Sequence, residues 1–218
     1  MNWIHRWLCR SPGWRNKLQE RIPWALEGAD LGPEVLEVGP GPGLTTDLLS
    51  PRSARLTALE IDSALAKSLA ARFLGSNVTV IRGDATSMPF ADAQFSGAVC
   101  FTMLHHVPSP RLQDKLLAEV LRVLAPGGVF AGVDSRQSLR MRLLHIRDTL
   151  VPIDPSGFSS RLEAAGFRDV LVESNNEAFR FRARRPLKSI AITSKSQHGL
   201  ATTSTRHVES NQKFESHK

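Results

Sequence analysis

The chain has 218 residues, 41% of them apolar and 22% charged, an ordinary globular balance that excludes a disordered or collagen-like chain as a whole. No run approaches the roughly 18 apolar residues of a membrane span, and the first ten residues lack the core of a secretory signal. The formal charge of +7 is local: from Arg180 onward, nine Lys/Arg face only Glu209 and Glu215, so the rest of the chain is neutral, which argues against a broad phosphate-gripping face and against nucleic acid as a partner.

Two cysteines, Cys9 and Cys100, lie too far apart in sequence for a redox or zinc pair, so a reducing, cytoplasmic compartment is expected. Residues 1–29 hold all four tryptophans, Trp3, Trp7, Trp14 and Trp24, among Arg6, Arg10, Arg15, Lys17 and Arg21. Pro12-Gly13 breaks this segment, and a helix over about 14–27 is expected to dock on the core through its aromatics.

Strands and helices then alternate. Residues 35–38 are a short apolar run ending in glycines, read as a buried strand, and 44–49 open a helix. Residues 56–61 form a second strand. Asp62 caps a helix over 63–74, where Leu65, Leu69 and Phe73 recur at four-residue spacing. Residues 78–81 are a third strand. Residues 97–103 are nearly all apolar, as suits a fourth strand covered on both faces. The helix over 111–124 places Leu112, Leu116, Leu117, Val120, Leu121 and Leu124 on one stripe. Ala125-Pro126-Gly127-Gly128 stops it before a fifth strand at 129–133. A helix over 156–165 ends at Gly166, and 169–173 with 178–183 form an antiparallel hairpin. This alternation implies an α/β fold with a doubly wound, mostly parallel sheet. Such sheets bind ligands beyond the carboxyl ends of their strands. Residues 187–218 differ: ten of the 32 are Ser or Thr, and apolar residues are sparse, as in a disordered basic tail.

Those strand ends carry the chemistry. Glu37-Val38-Gly39-Pro40-Gly41-Pro42-Gly43 follows the first strand, and glycines there let the backbone turn tightly and approach a ligand. The spacing is G-x-G-x-G, with Leu44 where a pyrophosphate fingerprint has its last glycine. Glu37, two residues before Gly39, suits a cationic, amino-acid end better than a pyrophosphate. Glu60, with Ile61 beside it, ends the second strand 17 residues after Gly43, placed to accept bonds from both hydroxyls of a ribose. After the third strand, Asp84 can accept from an adenine amino group while Ala85 offers its N–H. Thr102 stands at the end of the fourth strand, next to the same crevice.

With VLEVGPGPG (35–43), LEID (59–62), GDATSMPF (83–90), FTMLHHV (101–107), LRVLAPGGVF (121–130) and LEAAGFRDV (162–170), the chain resembles the class I S-adenosylmethionine-dependent methyltransferases of the type that often modifies small molecules. The resemblance covers about 30–185. It implies a seven-stranded sheet with its last strand antiparallel, S-adenosylmethionine as cofactor, and a small-molecule acceptor. The organisation expected is a helical lid segment at 1–29, the methyltransferase domain at 30–186 and the tail at 187–218. One departure is visible: the family often has Phe-Asp entering the fourth strand, where this chain has Phe95-Ser96. The opening also looks like ribosomal RNA adenine dimethylases. Those carry an Asn/Asp-Pro-Pro/Leu-aromatic sequence after the fourth strand, where this chain has Leu104-His105-His106-Val107. A nucleic-acid methyltransferase tethered by the basic tail, and a cofactor-binding protein without catalysis, are the alternatives.

His105 and His106 follow the fourth strand beside the expected methyl position and are the candidate catalytic residues, since imidazole can act as a base near neutral pH. In an extended strand end they point to opposite sides, so only one is expected to face the acceptor. A second set is Asp134, His145, Asp148 and Thr149. If 139–150 is helical, His145 and Asp148 share a face. The spacing of His105, His106, His145 and Asp148 does not demand a metal, and none is expected.

Overall fold

The computed structural model describes residues 11–146 and 148–187. The tail, Leu187 aside, and Cys9 lie outside the described residues. The chain runs α1 (Pro12–Ala25), β1 (Glu34–Val38), α2 (Leu44–Leu49), β2 (Arg55–Glu60), α3 (Ser63–Arg72), β3 (Val78–Arg82), β4 (Phe95–Phe101), a 3-10 turn (Leu104–His106), α4 (Pro110–Val123), β5 (Leu124–Ser135), α5 (Leu139–Leu144), α6 (Pro155–Ala165), β6 (Arg168–Ser174) and β7 (Ala178–Arg184). The seven strands form one sheet in the order β3-β2-β1-β4-β5-β7-β6. β1 to β5 pair in parallel, and β7 runs antiparallel between β5 and β6. The doubly wound sheet and its closing hairpin are therefore as the sequence implies.

The central parallel strands β1 and β4 are buried on both sides, so alternate residues enter two cores. Along β1, Leu36 and Val38 join one cluster with Phe95, Leu116, Leu117, Phe130, Phe158 and Phe181, under α4 and α6. Val35 joins the other with Leu18, Ile22, Ala25 and Leu49, under α1 and α2. A fully buried apolar side chain contributes roughly 1.5–3 kcal/mol, so each layer is held mainly by these faces. Cys100 is a buried free cysteine whose thiol is pushed well above its usual range by burial. Among the described residues no helix is long and apolar enough to cross a membrane.

Two element boundaries move for identifiable reasons. α1 starts at Pro12, not after it: proline fits a first helical turn, and the Ser11 side chain accepts from Trp14 N at 3.2 Å. This helix docks through Leu18, Ile22 and Ala25, while Trp14 and Trp24 are only partly buried. β4 stops at Phe101, because Thr102 takes a left-handed φ of 49° and turns the chain out of the sheet.

Ser96 takes up the departure at the start of β4. Its Oγ accepts from Glu34 N at 2.9 Å and donates to Leu31 O at 2.8 Å, joining β4 to the entry of β1. Ser96→Ala is expected to lower stability by about 1–2 kcal/mol, as for a lost hydrogen bond with partners left behind. The readout is the urea midpoint at constant slope. An unmoved midpoint would show that water replaces the hydroxyl.

Candidate functional site

The carboxyl ends of β1 to β5 share one edge of the sheet, and a cavity of about 1160 Å³ lies over it. That is at or above the roughly 300–1,000 Å³ of ligand pockets, room for a cofactor and a second molecule together. The chain leaves β1 toward β2 and later returns to β4 on the other side of β1, so a crevice opens between the ends of β1 and β4.

The glycine loop forms one wall. Gly41 has φ 57°, and a Cβ added there would meet no atom within 4 Å. Gly41 lines the cavity, so the backbone leaves free a space that a ligand can fill. Gly41 N donates to Glu60 Oε2 and Asp62 N to Glu60 Oε1, both at 2.9 Å. Glu60 thereby ties the end of β2 to the loop after β1 while remaining on the cavity wall. Each carboxylate oxygen keeps a second lone pair for a ligand hydroxyl. Gly39, Ile61, Asp84, Ala85 and Thr102 line the same cavity. Ile61 is 65% exposed, an apolar surface on the cavity wall. Asp84 Oδ1 accepts from Thr86 N at 2.7 Å, which leaves Oδ2 for a donor.

Glu37 and Gly43 do not line the cavity. Gly43, at φ 85°, packs where a Cβ would strike Leu69 and Arg72. Arg72, unnoticed in the sequence, donates to Pro42 O at 3.1 Å and Gly43 O at 2.8 Å and so braces the loop from behind. Glu37 is buried, accepting from Thr46 Oγ1 at 2.7 Å and, in a shorter contact, from Thr45 Oγ1. Its carboxylate fastens β1 to the first turn of α2, where Leu44 and Thr45 line the cavity. Burial pushes the Glu37 carboxyl up to about 7, against the two threonine hydroxyls, with repulsion from Asp47 and Glu60 added.

The other half of the cavity is built around histidines. Beyond Thr102 the 3-10 turn brings His105 and His106 together, ring centroids 4.3 Å apart. Both line the cavity, so the expectation that they point to opposite sides is corrected: it assumed extended backbone, and the chain has already turned. His105 is 3% exposed. Its Nδ1 lies 2.5 Å from Asp134 Oδ1, and its backbone N donates to Asp134 Oδ2 at 3.2 Å. Asp134, at the end of β5, also accepts from Ser135 N at 2.6 Å.

α5 ends at Leu144, so His145 and Asp148 do not share a helical face. His145 is instead the C-cap, its Nδ1 donating at 2.7 Å to Met141 O, a carbonyl that the His145 backbone N also reaches at 3.2 Å. This puts the His145 ring 5.1 Å from His105 and 5.0 Å from His106. Burial holds the His145 imidazole below its usual range. Asp148 and Thr149 line the cavity beside it.

Gln113 holds this half in register. It is 1% exposed, and its Nε2 donates to Leu104 O at 3.1 Å and Val151 O at 2.9 Å. It thus joins the histidine turn to the segment after α5. Its signal in the sequence is a polar residue at a core position of the α4 stripe, three and four before Leu116 and Leu117. From α1, Trp14, Lys17 and Arg21 form the remaining wall. Lys17 and Arg21 pair with Glu177 at 2.5 and 3.1 Å.

The Glu37 carboxyl makes a testable demand on stability. Its folded pKa is raised above the ordinary 4.5, so between about pH 4.5 and 7 the folded state holds a proton that the unfolded chain has released. Stability is therefore expected to fall as pH rises through that window, by up to about 3 kcal/mol at ~1.36 kcal/mol per pKa unit. Glu37→Gln should flatten the slope in urea unfolding from pH 4.5 to 8. An identical slope in the variant would assign the titration to another group.

Residues 35–128 match the family model described as a methyltransferase domain. Ribosomal RNA small subunit methyltransferase A of Deinococcus radiodurans is 35% identical over 117 residues, 54% of this chain and 38% of that protein. Ubiquinone biosynthesis O-methyltransferase of Pseudomonas putida is 31% identical over 132 residues, 57% of this chain and 55% of that one. The chain thus spans about half or less of the length of these curated relatives. Phosphoethanolamine N-methyltransferase 2 of Haemonchus contortus, solved with S-adenosyl-L-methionine, superposes with a TM-score of 0.67 at 16% identity, over 84% of this chain and 56% of that one, a likeness of fold. In this chain the glycine loop opens on a space a cofactor can occupy, and the family match covers that loop and the strands beside it: the region around residues 35–128 is a class I S-adenosylmethionine-dependent methyltransferase domain, whose cofactor is S-adenosylmethionine.

Proposed function

We propose that this protein transfers a methyl group from S-adenosylmethionine to a small-molecule acceptor whose reacting atom lies over the histidine cluster. One observation carries the proposal: a single cavity runs from Gly41 and Glu60 to His105, His106 and His145. In this arrangement Gly39, Gly41 and Thr102 border the amino-acid part of the cofactor. Glu60 accepts from the ribose hydroxyls, Ile61 covers the adenine, and Asp84 with Ala85 reads its edge. Glu37 and Gly43 act from behind, as supports of the loop.

The bound cofactor supplies a methyl group on a sulfonium, already activated for displacement. The protein's part is alignment, which can supply about 7–11 kcal/mol of the barrier. His105 and His106 then act on the acceptor: a hydroxyl must lose its proton as the methyl arrives, and the cluster is where that takes place. α1 serves as the lid over the acceptor half, held by its ion pairs to Glu177. Arg21 Nη1, buried with no hydrogen-bond partner among the described residues, offers a donor to an acidic group on the acceptor.

The name of the Pseudomonas putida relative supports a small-molecule acceptor, and that of the Deinococcus radiodurans relative an RNA. A neutral body and a histidine turn in place of an aromatic one favour the former. The test is transfer from labelled cofactor to pools of small molecules, RNA and protein. Labelling confined to RNA, and lost on deleting residues 187–218, would overturn the small-molecule reading in favour of a tethered enzyme.

Two sets of variants probe the halves separately. Glu60→Ala should weaken S-adenosylhomocysteine binding in calorimetry by about 10- to 100-fold, the equivalent of ~1.5–3 kcal/mol for hydrogen bonds to a charged group, and Gly41→Val should abolish it. Unchanged affinity in Glu60→Ala would sink the ribose assignment. With a hydroxyl acceptor, His105→Asn should lower kcat by about 10²–10⁴-fold with cofactor affinity nearly constant. A small loss there would leave alignment alone as the source of rate.

A further inference from the structure

Three imidazoles from two separate parts of the chain converge at the acceptor end of the cavity. The ligand atoms of His105, His106 and His145 lie within 4.8 Å of one another. We infer that these three histidines form a binding site for a divalent transition metal, zinc in the first place, on the wall of the acceptor half of the cavity.

Ring stacking alone would account for the centroid distances. It does not account for how the rings are anchored. His145 Nδ1 is bonded to Met141 O, and a carbonyl can only accept, so Nδ1 carries the hydrogen. In the neutral ring the lone pair is then on Nε2. His105 Nδ1 is bonded to the Asp134 carboxylate, with the same consequence. Metal-ligating histidines almost always donate their other ring N–H to a carboxylate or a backbone carbonyl, which sets tautomer and orientation. Here two rings of one cluster show that arrangement, one with each type of partner.

The ligand type selects the metal. Imidazole nitrogen suits zinc, copper, nickel and iron, whereas magnesium and calcium take oxygen. Three protein ligands with a fourth position open is the pattern of reactive zinc sites, and structural zinc sites are closed by four. Bonds of ~2.0–2.1 Å place tetrahedral nitrogens about 3.4 Å apart. From spacings of up to 4.8 Å the cluster must therefore contract by about 1.4 Å at most, within reach of ring rotations. The three rings line the cavity, so the fourth position is open to a hydroxyl or carboxylate oxygen of a bound molecule. Metal binding stands independently of the proposed methyl transfer; only the use of the metal to hold and acidify an acceptor hydroxyl rests on that reading.

The experiment uses the full chain without an affinity tag of histidines, stripped with a chelator and titrated with zinc against a chromophoric competitor. Cobalt(II) is the spectroscopic probe of coordination geometry. The expected result is one zinc per chain and a tetrahedral cobalt spectrum. His106→Ala and His145→Ala should each weaken zinc binding at least tenfold and abolish that spectrum, and Asp134→Asn should weaken it about 10- to 100-fold. His5, His198, His207 and His217 stay intact, so zinc that binds equally well to His106→Ala belongs to them and overturns the site. Failure of the wild-type chain to take up one equivalent does the same. His145 is buried, so its variant is first checked by thermal midpoint; should it not fold, the half-buried His106 decides. S-adenosylhomocysteine calorimetry on the same samples separates the two proposals: zinc bound without cofactor affinity defeats the methyl-transfer reading alone, and cofactor affinity without zinc defeats the metal site alone.

Discussion

The bond between Asp134 and His105 is the constraint on which the acceptor half of the cavity depends. Beyond Phe101 the chain leaves β4, yet His105, like Asp134 near the end of β5, is almost wholly buried. Asp134 fills the gap by accepting from the His105 ring, from His105 N and from Ser135 N at once. Removing one partner leaves a buried polar group unsatisfied, at a cost of about 1–3 kcal/mol. The 3-10 turn is thus held to the end of β5 by something stronger than its own hydrogen bonds. Everything the turn carries, including the orientation of His106, follows from that anchor.

Two other carboxylates, at the ends of adjacent strands, divide the work of the cofactor half. Glu37 and Glu60 differ little in burial but much in partners. Glu37 takes two hydroxyl donors from α2, and burial keeps its pKa high. Glu60 takes two backbone N–H groups, one from the loop after β1 and one from the turn after β2. Backbone donors at fixed positions hold a carboxylate in place while leaving its outer lone pairs for a ligand. The contrast explains why one acid faces the cavity and its neighbour holds the wall.

Most of this fold was legible in the chain because the signals are local. The strands are apolar runs, the α4 stripe has helical period, Asp62 does accept from Ala64 N and Leu65 N, and Gly166 does end α6 in a left-handed conformation. The glycine loop and Glu60 were legible as a set, since their spacing along the chain fixes their places at neighbouring strand ends. What escaped is three-dimensional. The left-handed Thr102 has no signature in an apolar run, so the strand seemed to continue and the two histidines to diverge. His145 was given a helical partner in Asp148, whereas its ring caps the helix it ends. Ser96 is a departure from a family pattern that the hydroxyl itself makes good, which only the position of Leu31 and Glu34 reveals.

These misplacements share a cause that bears on how the site is built. Each concerns a polar side chain that completes backbone hydrogen bonding near the point where a regular element starts or stops: Ser96 at the start of β4, Asp134 in the last residues of β5, His145 after α5, and Gln113, which reaches from α4 to the chain at Leu104 and Val151. Sequence periodicity reports elements and is silent where they end. Functional groups collect at those ends because the backbone there has unmet donors and acceptors and the polar side chains that meet them are held rigidly. The three histidines are brought together by this rule and not by a motif. His105 is placed by Asp134, His145 by the last carbonyls of α5, and His106 by its neighbour in the turn. A site assembled from element ends inherits the rigidity of three elements at once, the condition for holding a cluster of rings beside an acceptor without any one segment being long or regular.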